Sequence, residues 1–194
     1  MGRLIVHNAV TVNGAFEAPV PEPDGWLVLD ADSSDASLEQ FVLADAMVLG
    51  RRTYEGLAAV WPHLGDDPTL GRYAERINSM PKYVASRTLR GPLAWNATLL
   101  EGDLADSVRA LKAKHQRNLI VSGCGELAHA LTNQGLVDEF WFWLNPWLWA
   151  SGPRIFDGVG PVRLQLAAST AYPSGVLWLR YRPATDQQGT PSGA

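Results

Sequence analysis

The chain has 194 residues, of which 46% are hydrophobic, a formal net charge of -4 and one cysteine, Cys124. This length and apolar content suffice for one buried core, so we expect a single domain over residues 1–183 and a flexible tail over 184–194. The negative charge argues against nucleic acid or an anionic membrane as partner, and the lone cysteine excludes an intrachain disulfide and a multi-cysteine metal site.

The N-terminal segment lacks the charged and apolar regions of a signal peptide, which favours a cytoplasmic protein without a membrane partner. After it, β-rich runs alternate with helix-sized amphipathic segments. The runs are RLIVHNAVTV, AMVLG, KYVAS, ATLLE, NLIVS, EFWFWLN, RLQLAASTAY and GVLWLRYR. Ser37, Thr69 and Asp103 stand where N-caps of the intervening helices are expected.

The last two runs are separated only by PSG, so they must pair antiparallel. The pattern therefore predicts a three-layer α/β fold with a mainly parallel, eight-stranded sheet and an antiparallel C-terminal strand. Ligands of such sheets bind at the carboxyl ends of the parallel strands.

The first unusual strand-to-helix junction is GRRTYE, directly after a buried strand. Gly50 permits a sharp turn, and Thr53 is placed to cap the next helix. Arg51 and Arg52 add two forked cationic donors to the positive end of that helix. The combination favours a phosphate site, although an isolated arginine pair is more often simply solvated.

The second junction is YVASRTL, where a strand ends at Ser86 and Arg87. A hydroxyl and a guanidinium at this place suit a phosphate or a flat aromatic ring. The alternative is a strand end that merely meets water.

The third junction is LIVSGCGELAHAL, with a helix that begins near Glu126. Gly123 and Gly125 allow the backbone to approach a ligand closely, and the helix N-terminus behind them attracts anions. The spacing matches neither a dinucleotide fingerprint nor a P-loop. Cys124 is more readily explained as a small, unreactive side chain that fills space than as a nucleophile, because the chain has no second cysteine to act with it.

Taken together, DAMVLGRRTYEGLAAVWP, INSMPKYVASRTL, LIVSGCGELAHAL and GLVDEFWFWLNPWLWASGPRIF resemble the dihydrofolate reductase-like superfamily. The resemblance is strongest to single-domain bacterial proteins similar to the C-terminal reductase domain of the riboflavin-biosynthesis deaminase/reductase. It implies an eight-stranded, mainly parallel sheet and NADPH as cofactor.

The resemblance also implies roles for residues at all three junctions. It places Gly50, Arg51, Arg52 and Thr53 at the cofactor's pyrophosphate and 2′-phosphate, and Ser86 and Arg87 near the 2′-phosphate. It places Gly123, Cys124, Gly125, Glu126 and Leu127 under the nicotinamide and pyrophosphate. The candidate substrate residues are Asn13, Trp26, Tyr54 and Trp143.

The sequence departs from the family on the substrate side. Folate reductases have an acidic residue on the first helix and a threonine on the strand after the DE pair, where this chain has Trp143. The candidates for the proton donor are Glu17, Asp30, Asp45 and a bound water. The riboflavin-type reductases act on a ribose 5-phosphate and carry basic residues in the N-terminal third. This chain has no Lys or Arg from position 4 to 50, which favours a flat, neutral or cationic substrate without phosphate.

Three functions remain open from the sequence. The first is an NADPH-dependent reductase that passes hydride to an imine- or carbonyl-type carbon, with the riboflavin-type reduction as the alternative substrate. The second is a non-catalytic ligand-binding protein on the same scaffold, and the third is a structural assembly module. We also predict a homodimer, for which Trp147 and Trp149 are candidate contacts.

Overall fold

The computed structural model describes residues 1–16, 25–28 and 30–184. The strands are β1 (Leu4–Thr11), β2 (Ala44–Gly50), β3 (Lys82–Ala85), β4 (Ala97–Leu99), β5 (Asn118–Ser122), β6 (Glu139–Asn145), β7 (Leu164–Ala171) and β8 (Leu177–Pro183). The helices are α1 (Ala31–Val42), α2 (Arg51–Val60), α3 (Gly71–Ser79), α4 (Leu104–Lys114) and α5 (Glu126–Asn133), with a short 3-10 helix at Trp61–His63. In the described part of the chain, no helix is both long and apolar enough to cross a membrane.

All eight strands form one sheet in the order β4-β3-β2-β5-β1-β6-β8-β7. The strands from β4 to β6 are parallel, whereas β8 is antiparallel to both of its neighbours, β6 and β7. The predicted mainly parallel sheet with an antiparallel C-terminal strand is confirmed. We call the side where the parallel strands end the carboxyl edge and the opposite side the amino edge. The predicted C-terminal tail lies outside the described residues, apart from Ala184.

Two hydrophobic cores lie on opposite faces of the sheet, because alternate residues of each buried strand point to opposite sides. Helices α4 and α5 cover one face through Val108, Leu111, Ala128 and Leu131. Helices α1, α2 and α3 cover the other through Phe41, Tyr54 and Ile77. The helices leave the β7 end of the sheet largely uncovered, since most residues of β7 are exposed.

Two of the three predicted helix caps are wrong. Helix α1 begins at Ala31, and its cap is Asp30, whose carboxylate accepts the Ser33 backbone N–H at 2.9 Å, whereas Ser37 lies inside the helix. The cap of α3 is Leu70, not Thr69. Neither Ser37 nor Thr69 therefore caps a helix with its side chain, although the sequence predicted both caps. Before α3, the carboxylate of Asp67 accepts the backbone N–H groups of Thr69 and Leu70 at 2.9 and 2.7 Å, so an aspartate holds the start of the chain segment that leads into this helix.

The third prediction is confirmed. Asp103 caps α4 by accepting the backbone N–H groups of Ala105 and Asp106 at 2.9 and 3.1 Å. The carboxylate thus satisfies two amides that otherwise have no partner at the helix start.

Candidate active site

The register of the sheet brings the three unusual junctions together at the carboxyl edge. Gly50, the last residue of β2, is paired with Ala85 of β3, and Ser86 and Arg87 follow directly. On the other side, Val48 of β2 is paired with Val121 of β5, two residues before Gly123. The junctions predicted to bind one cofactor are therefore neighbours in the fold.

Helices α2 and α5 start side by side, and neither has a capping side chain. Their N-caps are Gly50 and Gly125, and no side-chain hydrogen bond is made at either one. A Cβ atom on Gly50 would lie 3.6 Å from the Leu127 Cβ, which shows how close the two helix starts are. Helices α1 and α4, by contrast, are capped by aspartates. The first-turn N–H groups of α2 and α5 are thus left for an anion.

Two details of the first junction differ from the sequence prediction. Gly50 has φ of -75° and ψ of 157°, an extended conformation that any residue adopts, so the turn itself does not require glycine. Thr53 is the third residue of α2, so the prediction that it caps this helix is wrong. The hydroxyl of Thr53 instead lies against the glycine loop of the third junction.

Gly123 is the residue whose glycine identity the structure requires. Its φ is +93°, and a Cβ atom there would lie 3.2 Å from the Thr53 hydroxyl oxygen. At Gly125 a Cβ would have no atom within 4 Å, so the space above that backbone is open. The loop thus packs tightly against α2 at one glycine and presents bare backbone at the other.

Cys124, between these glycines, points into the core. Its side chain is buried, and burial raises the pKa of the thiol to about 12, although a hydrogen bond with Asn8 acts in the opposite direction. A thiol with this pKa stays protonated at neutral pH and is a poor nucleophile. This agrees with the prediction that Cys124 fills space.

The arginines at this edge differ in how they are paired. Arg51 forms an ion pair with Glu55, one helical turn later, at 3.0 Å. Arg52 and Arg87 are exposed, and neither makes an ion pair with any residue in the described ranges. Two guanidinium groups are therefore available for a phosphate without first breaking a salt bridge.

Ser86 is already engaged by its own loop. Its hydroxyl oxygen accepts the backbone N–H groups of Thr88 and Leu89 at 3.1 and 3.0 Å. Ser86 therefore shapes the turn that carries Arg87.

The structure rules out one of the candidate proton donors. Asp45 lies near the start of β2, at the amino edge, and accepts bonds from the backbone and side chain of Arg117 at 2.9 and 2.7 Å. Burial would raise its pKa, but the bonds from Arg117 and Gln116 outweigh this and lower it. About five strand residues, or ~16 Å, separate Asp45 from the carboxyl edge. The prediction that Asp45 supplies a proton is wrong.

Asp30 lies on the correct edge but is held by its neighbours. Its carboxylate accepts bonds from the backbone and hydroxyl of Ser33 and from the Ser174 hydroxyl at 2.7 Å. Burial acts to raise the pKa of Asp30, but the hydrogen bonds from its neighbours outweigh burial, so the net shift of the pKa is downward. Asp30 is therefore a carboxylate at neutral pH. Glu17 lies outside the described residues.

Three of the candidate substrate residues are engaged in the fold. The Asn13 amide pairs with both the N–H and the C=O of Trp149, at 3.0 and 2.9 Å. The side chain of Trp26 is completely buried, and the hydroxyl of the buried Tyr54 donates to the Ala94 carbonyl at 3.1 Å. These residues shape the carboxyl edge, and none of the three presents a free recognition group in this structure.

The fourth candidate, Trp143, belongs to a buried polar cluster between α1 and the sheet. Its indole N–H is shared by His7 Nε2 at 3.2 Å and Gln40 Oε1 at 3.3 Å. Trp143 also lies beside Tyr172, with ring centroids 5.6 Å apart, and the His7 ring meets the edge of Phe41. Side chains of α1, β1 and β6 thus meet in this cluster.

His7 makes this cluster sensitive to acid. Burial lowers the pKa of His7 to about 4 from the ordinary 6.5, although a hydrogen bond with Gln40 opposes the shift. Between these two pH values the unfolded chain binds a proton that the folded chain does not, so stability falls as the pH decreases through this window. We expect a loss of roughly 3 kcal/mol between pH 7 and pH 4 from this residue.

Urea unfolding at several pH values checks this expectation, with His7→Gln as the control that lacks the titrating group. The variant should lose less stability than the wild type across the window. Parallel pH profiles of the two proteins would contradict the assignment.

Two contacts at this edge were not predicted from the sequence. The Arg51–Glu55 pair has a readable signal, because opposite charges four residues apart on a helix face each other. The bond from Ser174 to Asp30 spans 144 residues and has no local signal.

Two cavities lie away from the three junctions. A surface groove of about 550 Å³ borders the loop between the 3-10 helix and α3, and an apolar cavity of about 160 Å³ lies between α5 and Leu164. The described residues contain no group of three or more His, Cys, Asp or Glu side chains arranged to hold a metal ion.

The fold is that of dihydrofolate reductase-like proteins. A candidate riboflavin biosynthesis protein from Shewanella sp. PV-4 superposes with a TM-score of 0.70 at 20% identity, over 94% of this chain and 99% of that one. RibD from Acinetobacter baumannii superposes with a TM-score of 0.67 at 16% identity. The match covers 95% of this chain and 59% of RibD. Dihydrofolate reductase from Enterococcus faecalis, in complex with NADP(H), gives 0.61 at 13% identity, over 94% of this chain and 97% of that one.

The sequence identifies the family more closely than the fold does. The model of the RibD C-terminal domain matches residues 3–178, so the chain belongs to the RibD C-terminal domain family. No curated protein matches it significantly. The resemblance inferred from the sequence motifs is thereby confirmed, and the chain stands within a reductase superfamily.

Proposed function

We propose that the protein is an NADPH-dependent reductase that transfers hydride to an imine- or carbonyl-type carbon of a small, flat, non-phosphorylated substrate. The observation that carries this proposal is the pair of uncapped helices, α2 and α5, which start beside each other at the carboxyl edge. Exposed Arg52 and Arg87 stand at the same edge, one after β2 and one after β3. Helix starts and arginines are the groups that bind phosphates.

The residues present suit a dinucleotide. The N–H groups of the first turns of α2 and α5 would hold the pyrophosphate, and Arg52 and Arg87 would hold the 2′-phosphate. Gly125 leaves room for a ring to approach the backbone, since a side chain there would fill open space. When bound, NADPH supplies a hydride from its nicotinamide ring.

The substrate side of the edge favours a neutral or cationic molecule. The segment that leads from β1 through α1 to β2 carries acidic side chains but no Lys or Arg from position 4 to 50. At the start of α1, Asp30 is a carboxylate at neutral pH. A protonated imine would be attracted to this region, and a sugar phosphate would be repelled.

Among the described acids, Asp30 is the candidate that remains for proton transfer. Because its pKa is lowered, it would hold a water molecule or a protonated substrate instead of delivering its own proton. Asp30→Asn should therefore lower kcat and weaken the decrease of kcat at acidic pH. The affinity for the cofactor should stay unchanged.

A second candidate function is the riboflavin-type reduction of a ribosylamino-pyrimidine phosphate. The family match favours it, because RibD proteins are among the structural neighbours. The two functions differ in whether the substrate carries a phosphate. Activity on 5-amino-6-(5-phosphoribosylamino)uracil would favour the riboflavin-type reduction. Activity restricted to cyclic imines or carbonyls would favour the reduction of a non-phosphorylated substrate. Tight NADPH binding without turnover of any substrate would instead indicate a binding protein.

We expect NADPH to bind at least about tenfold more tightly than NADH, because charge-assisted bonds to a 2′-phosphate contribute ~1.5–3 kcal/mol. Arg52→Ala and Arg87→Ala should narrow this preference. Arg51→Ala should narrow it less, since Arg51 is already paired with Glu55. Fluorescence titration with both cofactors measures the dissociation constants.

Arg109→Ala is a matched control for these variants. Arg109 is an exposed arginine in an ion pair with Asp106 on α4, so its loss should leave both dissociation constants unchanged. Equal affinities for NADPH and NADH in the wild type would refute the assignment of the 2′-phosphate site.

A further inference from the structure

Glu139, at the amino edge, is surrounded by more cationic donors than its two oxygens can serve. Oε1 accepts hydrogen bonds from Arg3 Nη1 at 3.0 Å and from Arg182 Nε at 2.9 Å. Oε2 accepts the Trp141 indole N–H at 2.7 Å. Arg180 Nε also lies 2.9 Å from Oε2, but it is buried and has no well-directed hydrogen bond in the described part of the chain. Three guanidinium groups therefore share one negative charge, and two positive charges remain in excess.

The outer ends of Arg180 and Arg182 have no acceptor. Both side chains approach Glu139 through Nε, so the edge that carries their two Nη atoms faces away from the carboxylate. Among the described residues, none accepts a hydrogen bond from these Nη atoms. Arg3 differs, because its second Nη atom donates to the Asn118 side chain at 3.1 Å. The side chains of Arg180 and Arg182 are 26% and 52% exposed, so small anions have access to both.

Neighbouring carboxylates of the amino edge do not supply the missing negative charge. Asp138 is paired with Lys112 and accepts the backbone N–H of Leu4 at 2.7 Å. Asp45 is paired with Arg117 at 2.7 Å. The cross-strand partners of Arg182 and Arg180 on β7 are Gln165 and Ala168, and neither is charged. The excess positive charge is thus left for a ligand, although the chain as a whole carries a net charge of -4.

We propose that Arg180 and Arg182 bind a phosphate group at the amino edge, at the opposite end of the strands from the proposed cofactor site. The two arginines stand ~7 Å apart along β8 and are drawn together on one carboxylate. One tetrahedral oxyanion therefore accepts hydrogen bonds from both guanidinium groups. A phosphate with two negative charges also balances the excess charge of the cluster, whereas chloride balances half of it. The ligand is inorganic phosphate or a small phosphomonoester, since both present the same group.

The indole N–H of Trp141 is a local reporter of this site, because it shares Glu139 Oε2 with Arg180. Its nitrogen–proton NMR signal is assigned with Trp141→Phe. The full chain is then titrated with inorganic phosphate, glycerol 3-phosphate or chloride, at constant ionic strength and mildly alkaline pH. We expect both phosphates to shift the signal with a dissociation constant on the order of 1 mM, and chloride to leave it in place. The phosphate that binds more tightly identifies the source of the ligand.

Arg182→Gln removes one of the two guanidinium groups and should raise this dissociation constant at least ~tenfold. Arg182→Lys retains a positive charge beside Glu139, which protects the fold, but it lacks the fork and should also weaken binding. Arg109→Gln is the matched control. Arg109 is an exposed arginine paired with Asp106 on α4, so its loss should leave the constant unchanged.

Arg52→Ala/Arg87→Ala separates this site from the proposed cofactor site. The double variant should still shift the Trp141 signal at the phosphate concentration of the wild type, whether or not it binds NADPH. The proposal is overturned if neither phosphate moves the signal, or if Arg182→Gln and Arg182→Lys both bind phosphate as the wild type does. Loss of the shift in Arg52→Ala/Arg87→Ala overturns it as well, because the phosphate would then be bound at the carboxyl edge.

Discussion

Replacing Glu139 with glutamine is expected to lower the free energy of unfolding by about 2–3 kcal/mol. Glu139 is the first residue of β6, and its side chain is only 2% exposed. One carboxylate oxygen lies 3.0 Å from Arg3 and 2.9 Å from Arg182, and the other lies 2.9 Å from Arg180. The indole of Trp141 donates to the second oxygen at 2.7 Å.

This cluster joins β6 to β8 and to the residue that precedes β1, at the amino edge. Glutamine keeps the shape of the side chain but removes the one negative charge among three guanidinium groups. The arginines then repel each other around a buried amide that cannot accept all of their bonds, and this repulsion is the source of the loss.

Urea unfolding of both proteins at one protein concentration provides the measurement, because dimerisation would make stability depend on concentration. The control is Asp106→Asn, which breaks the exposed Arg109–Asp106 pair and should cost less than about 1 kcal/mol. A loss for Glu139→Gln as small as that of the control would mean that the buried cluster contributes little.

Most strands were predictable from sequence because they are short, apolar and bounded by turn residues. The start of α1 was not, because Asp30 and Ser37 are both residue types that cap helices, and the structure uses the earlier one, whose carboxylate accepts the Ser33 backbone N–H.

The part of the candidate site that is formed by strand ends was predictable from the sequence. The contacts between side chains of distant segments were not. The three junctions meet because parallel strands share a carboxyl edge, which follows from chain order alone. The position of Asp45 could also have been inferred, since it stands at the start of a strand and not at its end. The burial of Trp26 and the sharing of Trp143 between His7 and Gln40 depend on packing between distant segments.

Dihydrofolate should be a poor substrate, turned over at least about a thousandfold more slowly than by a folate reductase. In those enzymes an acid on the first helix, supported by a threonine, holds the pterin edge. The sequence resemblance places Trp143 at the threonine position, and in the structure its indole is held by His7 and Gln40 in a buried cluster. The groups that contact Trp143 in this cluster include no carboxylate, and the pterin would meet a bulky ring.

The size of the effect follows from the hydrogen bonds that the pterin edge would lose. Unpaired polar groups in a buried site cost several kcal/mol in the transition state, and about 4 kcal/mol corresponds to a thousandfold in rate. Asp30 does not replace the missing acid, because its carboxylate is engaged by Ser33 and Ser174.

The test follows NADPH absorbance with dihydrofolate, beside an authentic folate reductase at the same enzyme concentration. The same preparation must bind NADPH in the fluorescence titration, which shows that its cofactor site is intact. A low rate then means that dihydrofolate is a poor substrate. Turnover within about tenfold of the folate reductase would contradict the prediction, because it would require a catalytic acid close to the pterin. Asp30, Asp32 and Asp35 would then be replaced by asparagine in turn, since α1 and its cap are where such an acid must lie.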